Sequence, residues 1–291
     1  MRGFSKGCAA LAVLLLSACQ PAEKVTPALW QVDGPGGQRA WLLGTIHALE
    51  RPVDWRSAKV DTALAGADRV VLEVARIDDT AGMAMAFAAL GTAQTSVPLR
   101  SRVPAHALAN YDRYLKSYGI DEQALAGQET WSAALILAQA AQQAQGSEAE
   151  NGVDRAVAQA AGRRPVEEFE GADTQLKIFD ALPEAEQRDL LAAVVSASRE
   201  QNARETRALR QAWAKGDVQA LTRETQSGLL ADPELRAALL VGRNKAWTGQ
   251  VLAMLRRGQR PFVAVGTAHL AGPDGLPAML AAGGYRVTRL Q

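Results

Sequence analysis

Apolar and polar positions divide this chain into strand-like ends and a helical middle. Short apolar runs of strand length occur at residues 28–32, 38–43, 69–74, 260–266 and 285–290. Residues 104–256 are instead rich in Ala, Leu, Gln and charged side chains, and their apolar positions recur mostly with helical spacing. The pattern predicts an α/β fold with α+β character, in which one mixed central sheet is built from both chain ends and surrounded by a large helical block.

Individual elements can be assigned within this pattern. The turn-forming sequence at residues 33–37 predicts a hairpin between the first two runs. Residues 69–74 form a β-branched run that is typical of a strand buried on both faces. Residues 164–170 interrupt the helical block and are a candidate further strand. Helices are predicted at residues 56–66, 80–90, 152–161, 172–182, 233–257 and 276–282.

The N-terminus has the pattern of a secretory signal. Arg2 and Lys6 precede an apolar run at residues 8–16, which is too short to span a bilayer. The sequence Leu-Ser-Ala-Cys then ends at Cys19, in the manner of a lipoprotein cleavage site. We expect a signal peptide at residues 1–19, acylation of Cys19, a tether at residues 20–27 and a folded domain at residues 28–291. An ordinary signal peptide with an incidental cysteine is the alternative.

This leader changes how the composition is interpreted. Gln20 follows the cysteine where an Asp would favour the inner membrane, so we expect a periplasm-facing outer-membrane lipoprotein held to the membrane through its lipid anchor. Both cysteines lie in the leader, which leaves none for disulfides or thiolate chemistry in the mature chain. Without Arg2 and Lys6, the 32 basic residues fall to 30, against 31 acidic ones. That balance gives no support to a nucleic-acid partner.

Two of the three histidines share one local sequence frame. Each follows an apolar strand in a Gly-Thr-x-His sequence, from Gly44 to His47 and from Gly266 to His269. A glycine at the end of a strand permits a sharp turn or a close backbone approach, and the histidine then projects at the edge of the sheet, where α/β proteins bind ligands. A lone histidine is more often structural, but the matched pair favours a functional site.

Glu73 is the third candidate. It interrupts an apolar strand, where an ionised carboxylate is costly unless it is paired, hydrogen-bonded or bound to a metal. The alternative interpretations are an exposed strand end or an ion pair with an arginine.

These motifs together resemble the TraB/GumN family. The matching stretches are residues 44–47, the Val-Leu-Glu strand ending at Glu73, residues 265–276 and residues 284–287, within a resemblance that covers about residues 28–291. The C-terminal motif is the most specific. The resemblance implies a relation to the Tiki proteases, which carry paired Gly-x-x-His motifs with a glutamate and are regarded as metal-dependent, and to the erythromycin esterases.

Further positions match the family more loosely. Arg243 and Asn244, with Trp247, lie on the last long helix, and Glu170 with Gln175 follows the candidate middle strand. Arg243 can hold a carboxylate or oxyanion through its planar fork of donors, or it is an ordinary helix-surface residue. Glu170 is either a second acidic ligand or part of a solvated acidic edge.

The residues support three functional hypotheses. Two neutral imidazoles and a carboxylate suit a divalent metal ion with a position left for water, so His47, Glu73 and His269 are expected to hold Mn, Co or Zn and to catalyse hydrolysis. The Tiki resemblance implies a peptide, or another small envelope substrate. A metal-free hydrolase with a histidine base is the second hypothesis. The third is a non-catalytic binding or accessory lipoprotein, since GumN proteins accompany polysaccharide export.

Overall fold

Six strands form one sheet in the computed structural model, which describes residues 22–93 and 97–291. The strands are β1 (Glu23–Lys24), β2 (Leu29–Asp33), β3 (Arg39–Thr45), β4 (Val53–Asp54), β5 (Arg69–Leu72), β6 (Val166–Glu168), β7 (Pro261–Gly266) and β8 (Arg286–Arg289). The sheet has the order β6-β5-β7-β3-β2-β8, and β1 pairs separately with β4. Strands from both chain ends therefore share one mixed sheet, as the sequence pattern predicts.

The four strands from β6 to β3 are parallel, whereas β2 and β8 are antiparallel to their neighbours. β7 lies between β5 and β3, with Leu72 opposite Ala264 and Thr45 opposite Gly266. The strands that precede the two Gly-Thr-x-His sequences are thus direct neighbours. This confirms the prediction that both histidine loops leave one sheet.

The central strands are buried on both faces. Leu43, Leu72 and Phe262 face one apolar core, and Leu42 and Val263 face another on the opposite side of the sheet. Side chains of successive strand residues point to opposite faces, so a strand covered on both sides needs a continuous apolar run. This explains the uninterrupted apolar sequences at residues 70–72 and 261–265.

Helices cover the sheet and form the block between β5 and β7. They are α1 (Ala58–Gly66), α2 (Thr80–Gly91), α3 (Leu99–Arg102), α4 (Leu108–Tyr118), α5 (Thr130–Gln143), α6 (Val153–Ala160), α7 (Ala172–Asp180), α8 (Glu184–Ser196), α9 (Arg199–Ala214), α10 (Val218–Glu224), α11 (Pro233–Arg236), α12 (Gly242–Arg256) and α13 (Leu276–Ala282). A third apolar core holds this block together around Tyr111, Trp131 and Leu190.

The helix predicted at residues 233–257 is not a continuous α-helix in the structure. A π-helical turn, Ala237–Val241, joins α11 to α12. Such turns insert a residue into a helix and are frequent at functional sites. The two residues that follow Gly242 are Arg243 and Asn244, the polar residues that the sequence singled out.

The N-terminal boundary of the domain also needs correction. Residues 20–27 were expected to form a tether, but Glu23–Lys24 pairs with β4 and Val25 is buried. The folded part therefore begins before residue 28. Cys19 and the predicted signal peptide lie outside the described residues. Within the described ranges, we find no helix with the length and apolar character needed to cross a membrane.

Candidate functional site

The carboxyl ends of the four parallel strands bring the candidate residues to one edge of the sheet. His47 lies two residues after β3, Glu73 one residue after β5, and His269 three residues after β7. Glu170 follows β6 by two residues. Strands that end at a common edge leave a crevice there, which is where open α/β sheets bind ligands. The structure thus brings the three predicted catalytic residues together.

Glu73 lies at the centre of this cluster. The strand ends at Leu72, so Glu73 follows the strand and does not interrupt it, yet its side chain is only 9% exposed. Its Oε1 accepts a hydrogen bond from the backbone N–H of Gly266 at 2.7 Å. Its Oε2 accepts from Gln175 Nε2 at 3.0 Å and from Arg243 Nη2 at 2.8 Å. These donors fix the orientation of a buried carboxylate, and the ion pair with an arginine is the one proposed from the sequence as an alternative.

The histidines and Arg243 set the charge at the centre. Burial by itself raises the pKa of Glu73, but the rings of His269 and His47 and the Arg243 guanidinium outweigh it and lower that pKa to about 2. Burial lowers the pKa of His269 to about 3, since the charge of Glu73 does not compensate for burial and for the nearby cation Arg243. His269 is therefore neutral at physiological pH, and Arg243 and His47 supply the countercharge to Glu73 there.

The tautomer of His269 follows from its hydrogen bonds. The amide nitrogen of Asn244 donates to the backbone oxygen of Asp274 at 2.7 Å, so the amide oxygen faces His269 Nδ1 at 2.6 Å and must accept. The proton of the neutral ring is thus on Nδ1. The lone pair of Nε2 faces the centre, 4.0 Å from Glu73 Oε1 and 3.2 Å from Arg243 Nη1.

His47 occupies the opposite side of Glu73 and is more open. Its Nε2 lies 3.9 Å from Glu73 Oε1, and its Nδ1 contacts Asp154 Oδ1 at 3.3 Å. The N-terminus of α6 is joined to this loop, because the backbone N–H of Val153 donates to the backbone oxygen of Ile46 at 2.9 Å. Partial shielding of the ring from water disfavours its charged form, but the contact with Asp154 and the charge of Glu73 raise the pKa of His47 to about 9. Solvent reaches the ring, whose side chain is 61% exposed.

Arg243 joins two buried carboxylates. Its Nε and Nη2 lie 3.1 and 3.0 Å from Glu170 Oε2, while Nη2 also donates to Glu73. Glu170 accepts a further hydrogen bond from Trp247 Nε1 at 2.8 Å. The Trp247 ring contacts both the guanidinium and the His269 imidazole. Glu170 is consequently part of the buried network and not of a solvated acidic edge.

The two motif glycines permit close packing of the two loops. A Cβ on Gly44 would lie 2.8 Å from Thr267 Oγ1, and a Cβ on Gly266 would lie 3.1 Å from Glu73 Oε1 and 3.2 Å from His47 Nε2. The absence of a side chain at Gly44 thus leaves room for Thr267 of the other motif, and its absence at Gly266 leaves room for Glu73 and His47. This is the close approach that the strand-end glycines predict.

The imidazole nitrogens of His47 and His269 and the Glu73 carboxylate are donor atoms of the kinds that bind divalent metal ions. Both imidazoles direct Nε2 towards one carboxylate oxygen while Nδ1 contacts an oxygen behind the ring, which is the usual arrangement for metal-binding histidines. Across residues 22–93 and 97–291, three ligand atoms all within 4.8 Å of one another occur only at an acidic surface group, Glu186, Asp189 and Asp232. The ligand atoms of His47, Glu73 and His269 do not all lie within this distance of one another. A metal ion bound to His269 Nε2 would also require Arg243 Nη1 to move away from that nitrogen.

Sequence patterns do not indicate Asp154. An acidic residue in the first turn of a helix is common, because it complements the helix dipole, so its position at the start of α6 carried no signal. Only the tertiary contact with His47 reveals it.

These observations define an α/β protein with a His, Glu and Arg centre at the carboxyl edge of a mostly parallel sheet. The chain belongs to the TraB/PrgY/gumN family, which it matches over residues 28–289. It is 28% identical over 251 residues to the uncharacterized protein YbaP of Shigella flexneri, covering 84% of this chain and 89% of that protein. The YbaP protein of Escherichia coli K12 is similar to the same extent. No solved structure matches the chain.

Proposed function

We propose that this chain is a metal-dependent hydrolase of the bacterial cell envelope, in which His47, Glu73 and His269 hold a divalent ion such as Mn, Co or Zn. The observation that carries the proposal is the arrangement of the two imidazoles around Glu73. Their Nε2 atoms lie 3.9 and 4.0 Å from the same oxygen, Oε1. Peptides are the favoured substrates, and other small envelope molecules with an amide or ester bond fit the same chemistry.

The surrounding residues support this assignment. Such an ion would supply Lewis-acid activation of a water molecule. Asn244 keeps His269 in the tautomer that leaves Nε2 unprotonated, and Gln175 and the Gly266 N–H hold Glu73 in place. Arg243 lies close enough to the centre to hold negative charge that develops on a substrate.

A metal-free hydrolase is the second candidate, and the position of Arg243 favours it. Arg243 contacts both Glu73 and His269 Nε2, and a protonated His47 beside Glu73 balances the remaining charge. In that arrangement neither His269, with a pKa of about 3, nor Glu73, with a pKa of about 2, is an effective base at neutral pH. This is why we prefer the metal-dependent alternative.

The first test is metal binding by the purified protein as a function of pH. His47 must lose its proton to act as a ligand, and its pKa is raised to about 9. Affinity for Zn or Mn, measured by calorimetry, should therefore rise about tenfold per pH unit above neutrality and level off above about pH 9. The Asp154→Asn variant should shift this rise to lower pH, because the carboxylate that holds the proton is gone. Absence of any binding at pH 9, with hydrolysis intact, would favour the metal-free candidate.

Gly266→Ala provides a test of geometry. The added methyl group would press on Glu73 Oε1 and His47 Nε2, and small displacements in a reaction centre reduce rates by about 10²-fold. We expect this loss in cleavage of a peptide library with metal added. Gly249→Ala is the control, since it lies exposed in α12 with nothing within 4 Å of the added atom. Normal activity of Gly266→Ala would contradict the placement of the reacting group at this edge.

We also propose that the chain is a lipoprotein of the outer membrane, facing the periplasm and anchored through Cys19. Labelled palmitate should enter the wild-type chain and be absent from Cys19→Ser. Cys8→Ser is the matched control, because Cys8 lies earlier in the same leader and should leave labelling unchanged. Equal labelling of the Cys19→Ser variant would rule out this anchor.

A further inference from the structure

A cleft of about 660 Å³ extends from the candidate centre into the helical block. Its inner end is formed by Thr45, His47, Glu73 and Asp154, and its walls come from α2, α5 and α7. We call it the α2–α5–α7 cleft. Its volume falls within the range of pockets that enclose a small-molecule ligand.

The walls of the cleft are apolar. They include Ile77, Met83, Phe87, Ile136, Leu176 and Phe179. Beyond the inner end, the polar lining side chains are Gln139 and Gln175, and within the described ranges no Lys or Arg lines the cleft. At the inner end the two carboxylates of Glu73 and Asp154 outnumber the single cation, His47, which disfavours an anion. The walls offer few partners for sugar hydroxyls, which would lose their hydrogen bonds to water. The cleft therefore suits an uncharged apolar group.

The Thr45 hydroxyl at the inner end has no partner of its own. Thr45 is only 1% exposed, and its Oγ1 forms no hydrogen bond with any residue that the structure describes. A buried hydroxyl without a partner is unfavourable, and rotation of the Thr45 side chain towards the cleft would give it a partner on a bound molecule. Thr267 of the second motif is also buried and unpartnered within those ranges, but it lines a different cavity.

We propose that the α2–α5–α7 cleft binds the apolar part of the substrate, an acyl chain or aromatic group attached to a neutral amide or ester, and that the Thr45 hydroxyl donates a hydrogen bond to the carbonyl oxygen of that bond. The inference rests on the proposed hydrolase function, since it puts the bond to be cleaved beside His47 and Glu73.

Binding can be measured without turnover. The uncharged fluorophore N-phenyl-1-naphthylamine, bound to the full chain, should be displaced by acetyl, hexanoyl and decanoyl glycinamide. Affinity should increase with chain length, by up to about fourfold for each methylene group buried. The corresponding acyl glycines, which carry a carboxylate, should bind at least about tenfold more weakly. Equal affinity for all chain lengths would overturn the proposal.

Two methionines of α2 provide a matched pair for the walls. Met83 lines the α2–α5–α7 cleft, whereas Met85 is 73% exposed and does not line it. Met83→Glu should prevent displacement by decanoyl glycinamide, and Met85→Glu should behave as the wild type. Both positions are only partly buried or exposed, so folding should persist, and circular dichroism checks it. Loss of binding in Met85→Glu alone, or in neither variant, would place the apolar group elsewhere.

The two motif threonines provide a matched pair for the hydroxyl. Thr45→Val keeps the shape of the side chain and should weaken amide binding about tenfold, while Thr45→Ser should restore it. Thr267→Val should leave binding unchanged. The melting temperatures of both valine variants should stay level or rise, because each loses an unpartnered buried hydroxyl. Unchanged binding in Thr45→Val would exclude the hydroxyl from the site.

Failure of this inference differs from failure of the proposed function. If the amides bind through Met83 and Thr45 but are never cleaved with any metal, the cleft assignment stands and the hydrolase proposal is wrong. If peptides are cleaved while Met83→Glu and Thr45→Val behave as the wild type, the hydrolase proposal stands and the cleft assignment is wrong.

Discussion

Glu73→Gln is expected to abolish hydrolysis, with a loss in kcat/KM on the order of 10³-fold. The amide keeps the size of the side chain, and its oxygen can still accept the Gly266 N–H. It carries no charge, however, and a neutral amide is a poor ligand for a divalent ion and a poor partner for His47. We therefore also expect loss of bound metal, measured by elemental analysis of the purified variant.

Glu170→Gln is the matched control for this variant. Glu170 is equally buried and contacts the same guanidinium, but its contacts are with Arg243 and Trp247, and none is with an imidazole. Removal of its charge should act only through the position of Arg243 and reduce activity about 10- to 100-fold, with metal retained. Equal losses in the two variants, or full metal content in Glu73→Gln, would show that Glu73 is not the central ligand.

Arg243→Met is expected to destabilise the folded protein more than any other single change at the site. The methionine fills much of the same space but removes the only cation that contacts Glu170 among the described residues and leaves Glu73 with His47 alone. Breaking a buried pair from one side costs about 3–5 kcal/mol. For a domain of this size, that is a fall in melting temperature of about 10 °C. Chemical unfolding at neutral pH measures it.

The destabilisation by Arg243→Met should depend on pH in a defined direction. In the wild type the pKa of Glu73 is lowered from 4.5 to about 2, so its charge stabilises the fold above pH 4.5, and this contribution is lost as the pH falls towards 2. Without Arg243, the two histidines and the Gly266 N–H still oppose the effect of burial, but the pKa of Glu73 is higher than in the wild type and protonation relieves the unpaired charge at low pH. The difference between wild type and variant should thus be largest at neutral pH and shrink below pH 4.5.

Arg100→Met is the control for Arg243→Met. Arg100 pairs with Asp112 at the surface, where both side chains are about half exposed. Exposed pairs of this kind contribute little, so no measurable change is expected at any pH. If Arg243→Met also caused no measurable change in stability, the buried carboxylates would have found another partner once Arg243 was removed.

The sheet could be predicted from sequence because its central strands are buried on both faces. Short apolar runs bounded by turn residues are typical of such strands, and the hairpin turn at residues 33–37 predicted the pairing of β2 with β3. The extra pairing of Glu23–Lys24 with Val53–Asp54 escaped prediction, since two-residue strands carry no periodicity. The π-helical turn before Arg243 was missed for a related reason, because one inserted residue barely alters the spacing of apolar positions.

Some residues of the candidate site could likewise be predicted from the sequence, and others could not. The repeated Gly-Thr-x-His frame identified His47 and His269, because two identical frames after two strands are unlikely by chance. Glu73 stood out as a charge at the end of an apolar strand. The contact of Asp154 with His47 and the buried, unpartnered hydroxyl of Thr45 depend on how α6 and the strands come together, which no local pattern records.

The position of β7 between β3 and β5 has a consequence for how the polypeptide folds. Its partners lie near the start of the chain, while β7 itself ends at Gly266, so the middle of the sheet is formed by contacts between distant parts of the sequence. Contacts of this separation make folding slow. Until β7 has been synthesised, β3 and β5 have no common neighbour and their apolar edges stay unpaired. A ribosome-bound chain therefore cannot complete the centre of the sheet until nearly all of the polypeptide has been made, whereas the third apolar core, around Tyr111, Trp131 and Leu190, can form earlier.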